Sequence, residues 1–518
     1  MKWFEVFKQQ WQDYHAGLQA VKIGDKSLLD LAAPLLLQNT TLVNPAQLRR
    51  SIGHMGGMHR LRRVLRDLQS GKQIKLGVLG GSISWGSAVE HGTDDWFALL
   101  TAHLAAAFPA ANVTGRNGCV PATPSSFMNM CLEQYLDEDV DLVFLEYAVN
   151  DGWDTHNVMK RKIYERLLRK VLSKPKHPAV ILVQLPTVGM AYSSSHKDKT
   201  PFYKTVEDTY GSFAAYYDTP YLSMRNAIWR LAEHHHYQMN FTHFYGMSYD
   251  FVHPLEQGHR LIADMVLFAM QQALLDLQLH PWSVWDEEEA AAALPKPMYY
   301  GNWEEVNRLC THGKAFEAVV TQSKGWQMVN EGDEIKPKFG YVTTQVGAEL
   351  VITLNTTRRS APELQRMNVQ LAYLRSYTGL GMALVKCSGG CECQDTLVDG
   401  HHELRQSTIF LLRLYPTQAP ACRISVTVQS ESRSGGHKFK VTGVMANEFR
   451  SRGEHQHDEH EELNKEEWLG GVNKGKGELK ERWGKAAAGA SAAGSTSSSS
   501  SSGSGSSKSG SGPKASTD

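Results

Sequence analysis

Net charge is absent from this chain: 54 lysines and arginines stand against 54 aspartates and glutamates in 518 residues. That balance supplies no single-sign field to hold nucleic acid or another polyanion, so none is expected as a partner. Also absent is an uninterrupted apolar run of the roughly 20 residues that a membrane-spanning helix needs. The nearest approach, Leu261 to Leu275, is broken by Asp264, Gln271 and Gln272, and no integral membrane segment is expected. The first residues, Met1-Lys2-Trp3-Phe4-Glu5-Val6-Phe7-Lys8, lack the apolar core of a secretory signal. The length implies two or three domains, with ample chain to bury a core.

What the chain does contain is a serine in a glycine-rich loop, Leu79-Gly80-Gly81-Ser82-Ile83-Ser84-Trp85-Gly86. Ile74 to Leu79 alternates and then fills with apolar residues, as a buried parallel strand does. After the loop, Thr93 is the expected cap of a helix carrying Trp96, Phe97, Leu100 and Leu104. A nucleophile at the carboxyl end of a parallel strand is where open α/β sheets place their sites. Much later comes Asp250-Phe251-Val252-His253-Pro254, with Pro254 suited to the first turn of a helix whose apolar stripe is Ile262, Val266, Ala269 and Ala273. A serine hydroxyl is a weak nucleophile until an imidazole takes its proton, and the imidazole needs an acceptor to fix its tautomer. Ser82, His253 and Asp250 supply these three groups. Two further segments carry groups suited to an oxyanion hole: Asn117-Gly118-Cys119-Val120-Pro121-Ala122-Thr123, and Glu146-Tyr147-Ala148-Val149-Asn150-Asp151-Gly152 after the apolar stretch Leu142 to Leu145.

In this order the four segments resemble the blocks of the SGNH hydrolases, also called the GDSL esterase and lipase superfamily, over roughly residues 50 to 278. The resemblance implies a flavodoxin-like, three-layer α/β/α domain with a parallel sheet. It implies Ser82, Asp250 and His253 as the triad, and an oxyanion held by the Ser82 amide, a backbone amide of the second block and the Asn150 side chain. Two positions depart from the pattern. Gly81 replaces the aspartate usual before the serine, and alignment on Asn117 puts Ala122 where the oxyanion glycine sits, with Gly118 as a second candidate. An α/β-hydrolase is excluded because Ser84 occupies the second glycine of Gly-x-Ser-x-Gly and because acid and base lie too close in sequence. The implied activity is two-step acyl transfer to water without metal or organic cofactor. The implied substrates are O-acetyl esters on carbohydrate, lipids, thioesters or simple acyl esters. An acyltransferase or lipase of the same fold is an alternative, as is a degenerate carbohydrate-binding or surface protein; Gly81 and Ala122 hint at the latter, against an otherwise intact set.

Pattern changes divide the chain into a helical extension (1–70), the esterase domain (71–280), a linker (281–324), a β-sandwich-like domain (325–447) and a disordered tail (448–518). In the extension, Arg60, Arg62, Arg63 and Arg66 read as a solvated helix face. The β-rich part shows short strand-like runs, among them Leu350 to Leu354, Val369 to Leu374, Ser407 to Leu414 and Lys438 to Val444. The tail combines a charged stretch, His455 to Glu467, with a serine- and glycine-rich tract, and His455, His457 and His460 read as solvated. His234, His235 and His236 are consecutive and cannot share a helix face, so they are read as surface residues rather than metal ligands.

Seven cysteines complete the reading. Cys387, Cys391, Cys393 and Cys422 are expected as two disulfides in preference to a four-thiolate zinc site, because the Cys-x-Cys step is short and no second paired cluster follows. Cys119 and Cys131 are the expected third pair, leaving Cys310 unpaired. With Asn-x-Ser/Thr acceptors at Asn39, Asn112, Asn240 and Asn355, the cysteines lean towards a secretory lumen or the extracellular space.

Overall fold

A computed structural model describes residues 2–37, 42–152, 158–186, 206–232, 236–245, 252–359, 366–403 and 407–448. Asp250, His234, His235, Asn39 and the expected tail from residue 449 onward lie outside the described residues.

The first sheet comprises β1 (Ile52–His54), β2 (Ile74–Gly80), β3 (Val113–Asn117), β4 (Leu142–Glu146), β5 (Ala179–Gln184) and β6 (Tyr221–Ser223). Their order is β1-β6-β5-β4-β2-β3, and every pair is parallel except β1 with β6. Among the parallel strands this is the 2-1-3-4-5 order of flavodoxin-like sheets, whose switch point falls between β2 and β4. Both faces are buried, and strand alternation divides them. Leu76, Val78, Phe144, Ile181 and Val183 face one core with the helices His59–Gln69, Trp96–Ala107 and Glu256–Leu279. Leu79, Val143, Leu145, Val180 and Leu182 face the other, with Ser125–Tyr135, Val158–Leu172 and Glu207–Tyr216. The result is the expected three-layer α/β/α arrangement.

The N-terminal residues are built into this domain. Trp11 is fully buried and donates from its indole to the Val43 carbonyl at 2.9 Å, Tyr14 donates to Gln271 at 3.0 Å, and β1 closes the sheet edge. The arginines of His59–Gln69 are not a solvated face. Arg62 is buried and pairs with Asp286 at 2.9 Å, while Arg60 and Arg63 donate to the carbonyls of Leu172 and Lys176 at 3.0 and 2.8 Å. A guanidinium's five donors let such a helix lie between layers and satisfy carbonyls at the ends of its neighbours. Glu256–Leu279 is long and apolar enough to cross a membrane, yet 83% of its apolar window is buried as a core helix. Its Gln271 also donates to the Leu35 carbonyl at 3.2 Å.

The C-terminal part is a two-sheet antiparallel sandwich. Its strands are β7 (Val306–His312), β8 (Val320–Lys324), β9 (Gln327–Asn330), β10 (Phe339–Thr343), β11 (Glu349–Leu354), β12 (Asn368–Arg375), β13 (Met382–Ser388), β14 (Thr396–Asp399), β15 (Thr408–Leu414), β16 (Cys422–Val428) and β17 (Phe439–Glu448). One sheet runs β8-β11-β16-β13-β14; the other runs β9-β10-β17-β12-β15, with β7 also paired to β17. Leu350, Ile352, Val369, Leu371, Ile424 and Val426 fill the space between them. β7 and β8 fall in the stretch read from sequence as linker. β7 is only partly buried and mixes Asn307, Arg308, Thr311 and His312, so it lacks the alternation that marks a strand.

Cys387–Cys393 and Cys391–Cys422 are disulfides. The third pairing differs from expectation: Cys131 bonds Cys310, and Cys119 is free and buried. Cys131 lies on the helix face that meets β7, whereas the Cys119 thiol points to the Val78 carbonyl at 3.7 Å.

Candidate active site

Parallel pairing sets Gly80 opposite Glu146, so the segments that follow β2 and β4 emerge side by side at the switch point. Ser82 opens the short helix Ser82–Trp85, which ends at Gly86. Gly86 adopts φ 95°, and a Cβ there would stand 2.8 Å from Asp95 Cβ, so glycine is required on both counts. Asp95, rather than Thr93, caps the following helix, accepting from the amides of Phe97 and Ala98 at 3.1 and 2.9 Å.

His253 meets Ser82 at the sheet end, with its Nε2 2.7 Å from Ser82 Oγ. It sits three residues before the helix Glu256–Leu279, which starts two residues after Pro254 rather than at it. Asp250, the expected acceptor behind the imidazole, lies outside the described residues.

The oxyanion candidates separate by what their donors already do. Gly118 donates its amide to the Val78 carbonyl at 2.9 Å and is jammed against the Tyr135 carbonyl, which a Cβ would approach to 2.1 Å. Its amide is therefore engaged in the fold. Ala122 adopts φ 62° at the apex of its turn, and its amide makes no hydrogen bond among the described residues. Asn150, in the short helix after β4, packs directly on Gly81: a Cβ at 81 would lie 1.9 Å from Asn150 Oδ1. That contact explains the glycine where the resemblance calls for aspartate.

Beneath the loop is a polar framework that the sequence did not disclose. Ser84, fully buried, donates to Glu146 Oε2 at 3.0 Å and accepts from the Trp96 indole at 3.0 Å. Asn117 fastens the same loop by donating to the Ser84 carbonyl at 2.8 Å. Burial pushes the Glu146 carboxyl up to about 8, with the Ser84 hydrogen bond opposing. Burial, followed by the neighbouring His253, holds His259 down to about 4, so it is a neutral ring that accepts from the Trp96 amide at 3.2 Å. The sandwich reaches this loop too: the Lys336 ammonium donates to Ser87 Oγ at 3.1 Å and lies 4.8 Å above the Trp85 ring, whose plane stacks on His91 at 4.3 Å. Among the described residues the one cluster with metal-ligand spacing is Cys387, Cys391 and Cys422, all held in disulfides.

Residues 78–261 match the GDSL-like lipase/acylhydrolase family. This segment is a GDSL-type acylhydrolase domain. The domain makes the chain an ester-bond hydrolase. Among solved structures, the chain is similar to a two-domain esterase active on acetylated mannans, at 18% identity over 77% of this chain and 98% of that one, with a TM-score of 0.57. The same esterase co-crystallised with mannopentaose matches over 78% and 99%, with a TM-score of 0.56. At this identity the likeness establishes the fold, and it spans both the acylhydrolase domain and the sandwich. Comparison with curated proteins gives no match.

Proposed function

We propose that the acylhydrolase removes acyl groups, O-acetyl groups foremost, from carbohydrate. The observation that carries the catalytic part is the 2.7 Å approach of His253 Nε2 to Ser82 Oγ. In this reading His253 takes the Ser82 proton as the hydroxyl attacks the ester carbonyl, and Asp250 orients the ring and stabilises its charge. The Ser82 and Ala122 amides and the Asn150 side chain receive the developing oxyanion, each donor contributing on the order of 10²-fold to 10³-fold in rate. His253 then protonates the leaving alcohol, and in the second half it activates water to release the acid and restore Ser82.

The substrate class draws support from architecture. The similar two-domain esterase acts on acetylated mannans, and its likeness extends across the sandwich as well as the hydrolase fold. Labelling by a fluorophosphonate probe, together with acetate release from acetylated oligosaccharides, tests the reading in wild type and Ser82→Ala. Both signals are expected in wild type and neither in the variant; a well-folded wild type that takes no label refutes the serine mechanism.

A further inference from the structure

The sandwich meets the hydrolase domain along the helix Ser125–Tyr135, and strand register decides which of its side chains face that helix. Val369 and Leu371 turn into the sandwich core, so Gln370 and Ala372 turn outward. On β15 the partners of these two are Arg413 and Leu411. Ala372, Leu411 and Met445 are covered by Phe127, Met130 and Cys131 in an apolar seam. Two residues along each strand the seam gives way to a cleft, walled by Ser126, Asn150 and Ile163 on one side and by Gln370, Leu411 and Arg413 on the other.

Gln370 is only 3% exposed, yet its Oε1 has no hydrogen-bond partner among the described residues. A buried carbonyl left without a donor is destabilising, and a strand facing only a packing partner has no use for one. A hydroxyl entering the cleft would satisfy it. Asn150 lines the same cleft and packs on Gly81 beside Ser82, which places a ligand there next to the acyl site. Ile163 and Leu411 add apolar wall suited to the C–H face of a sugar ring. A lipid chain would bury Gln370 unpaired and is disfavoured by the same argument.

We propose that this cleft is the glycan subsite of the acylhydrolase, with Gln370 of the sandwich accepting a hydrogen bond from a hydroxyl of the sugar that carries the ester. The proposal rests on the glycan-deacylating reading above and assigns the sandwich a direct part in substrate recognition.

Calorimetric titration of the full chain bearing Ser82→Ala with manno-, xylo- and cellopentaose reads binding without turnover. At least one pentasaccharide is expected to bind, and adding Gln370→Leu is expected to weaken it about tenfold, the size of one lost hydrogen bond. The melting temperature should not fall, because the change removes an unsatisfied acceptor. Gln370→Glu keeps an acceptor at the same reach and should retain more affinity than leucine. Should the leucine variant lose melting temperature as well as affinity, the glutamate variant decides: recovered binding supports the subsite, and equal loss overturns it. Absence of binding by all three sugars, or undiminished binding by the leucine variant, also overturns it. Acetate release by wild type is scored separately. Gln370-dependent binding without release defeats the proposed reaction alone, and release that ignores Gln370→Leu defeats the subsite alone.

Discussion

Gly81 precedes the candidate nucleophile where the family pattern has aspartate, and its neighbour Asn150 leaves no room for any side chain there. Restoring the aspartate therefore has a definite expected cost. Gly81→Asp must push Asn150 away from its place beside Ser82, displacing the proposed oxyanion donor, and is expected to lower kcat on an aryl acetate by about 10²-fold or more. The overpacked loop should also lose on the order of 1–3 kcal/mol of stability in a thermal melt. Wild-type turnover in this variant would show that Asn150 is not a donor to the oxyanion. Ser82 and His253 were legible in the sequence because each sits in a short segment of unusual composition, and the structure brings them to 2.7 Å. Glu146 was not legible. A carboxylate at the end of an apolar strand reads as the point where the chain meets water, and only Gly80 and Ser84 closing around it make it a buried group.

The strand β4 ends in that buried glutamate, and its titration belongs to the element because it fastens β4 to the loop leaving β2. Its carboxyl is held at about 8 when folded, against an ordinary value of 4.5. The folded chain therefore binds a proton more tightly than the unfolded chain, so the associated stability is full below about pH 4.5 and is lost as pH rises towards 8. Asp264, raised by burial to about 7, and Asp151, also raised by burial, act in the same direction. Glu146→Gln is expected to shrink the fall in denaturant midpoint between pH 5 and pH 8 without abolishing it, as followed by urea titration at both pH values; an unchanged fall would mean that Glu146 is ionised in the fold. Legibility among elements follows burial. β2, β4 and β5 are fully or almost fully buried and announce themselves as apolar runs, whereas β7 is partly buried and draws much of its support from the helix Ser125–Tyr135 of another domain. The arginine-rich helix His59–Gln69 misled for the converse reason: its apolar stripe was plain, but the carbonyls and carboxylates that receive its guanidiniums come from distant parts of the chain.

Across the whole molecule, hydrolase fold and sandwich are fastened by covalent and non-covalent contacts that converge near β7. Glu305, buried at its start, accepts from Asn129 at 2.9 Å and pairs with Arg166 and Lys170, and five residues on Cys310 bonds Cys131. The disulfide spans a sequence separation of 179 residues. In the chain-entropy view a crosslink over a loop that long restricts the unfolded chain by about 5 kcal/mol, against about 3 for a short loop. Cys131→Ser with Cys310→Ser should therefore lower unfolding free energy by several kcal/mol, up to about 5, while leaving the midpoint insensitive to reductants too mild to open the two sandwich disulfides. Denaturant unfolding of the double variant beside wild type, oxidised and reduced, measures this directly. A loss below about 1 kcal/mol would mean that the Glu305 cluster and the apolar seam already restrict the unfolded chain or dominate docking, and that the crosslink is incidental. If the larger loss appears, the same crosslink is what keeps Gln370 across the cleft from Asn150 and Lys336 on the loop that bears Ser82, because both placements depend on how the sandwich is seated. Reduction should then weaken the proposed oligosaccharide deacylation before it unfolds either domain.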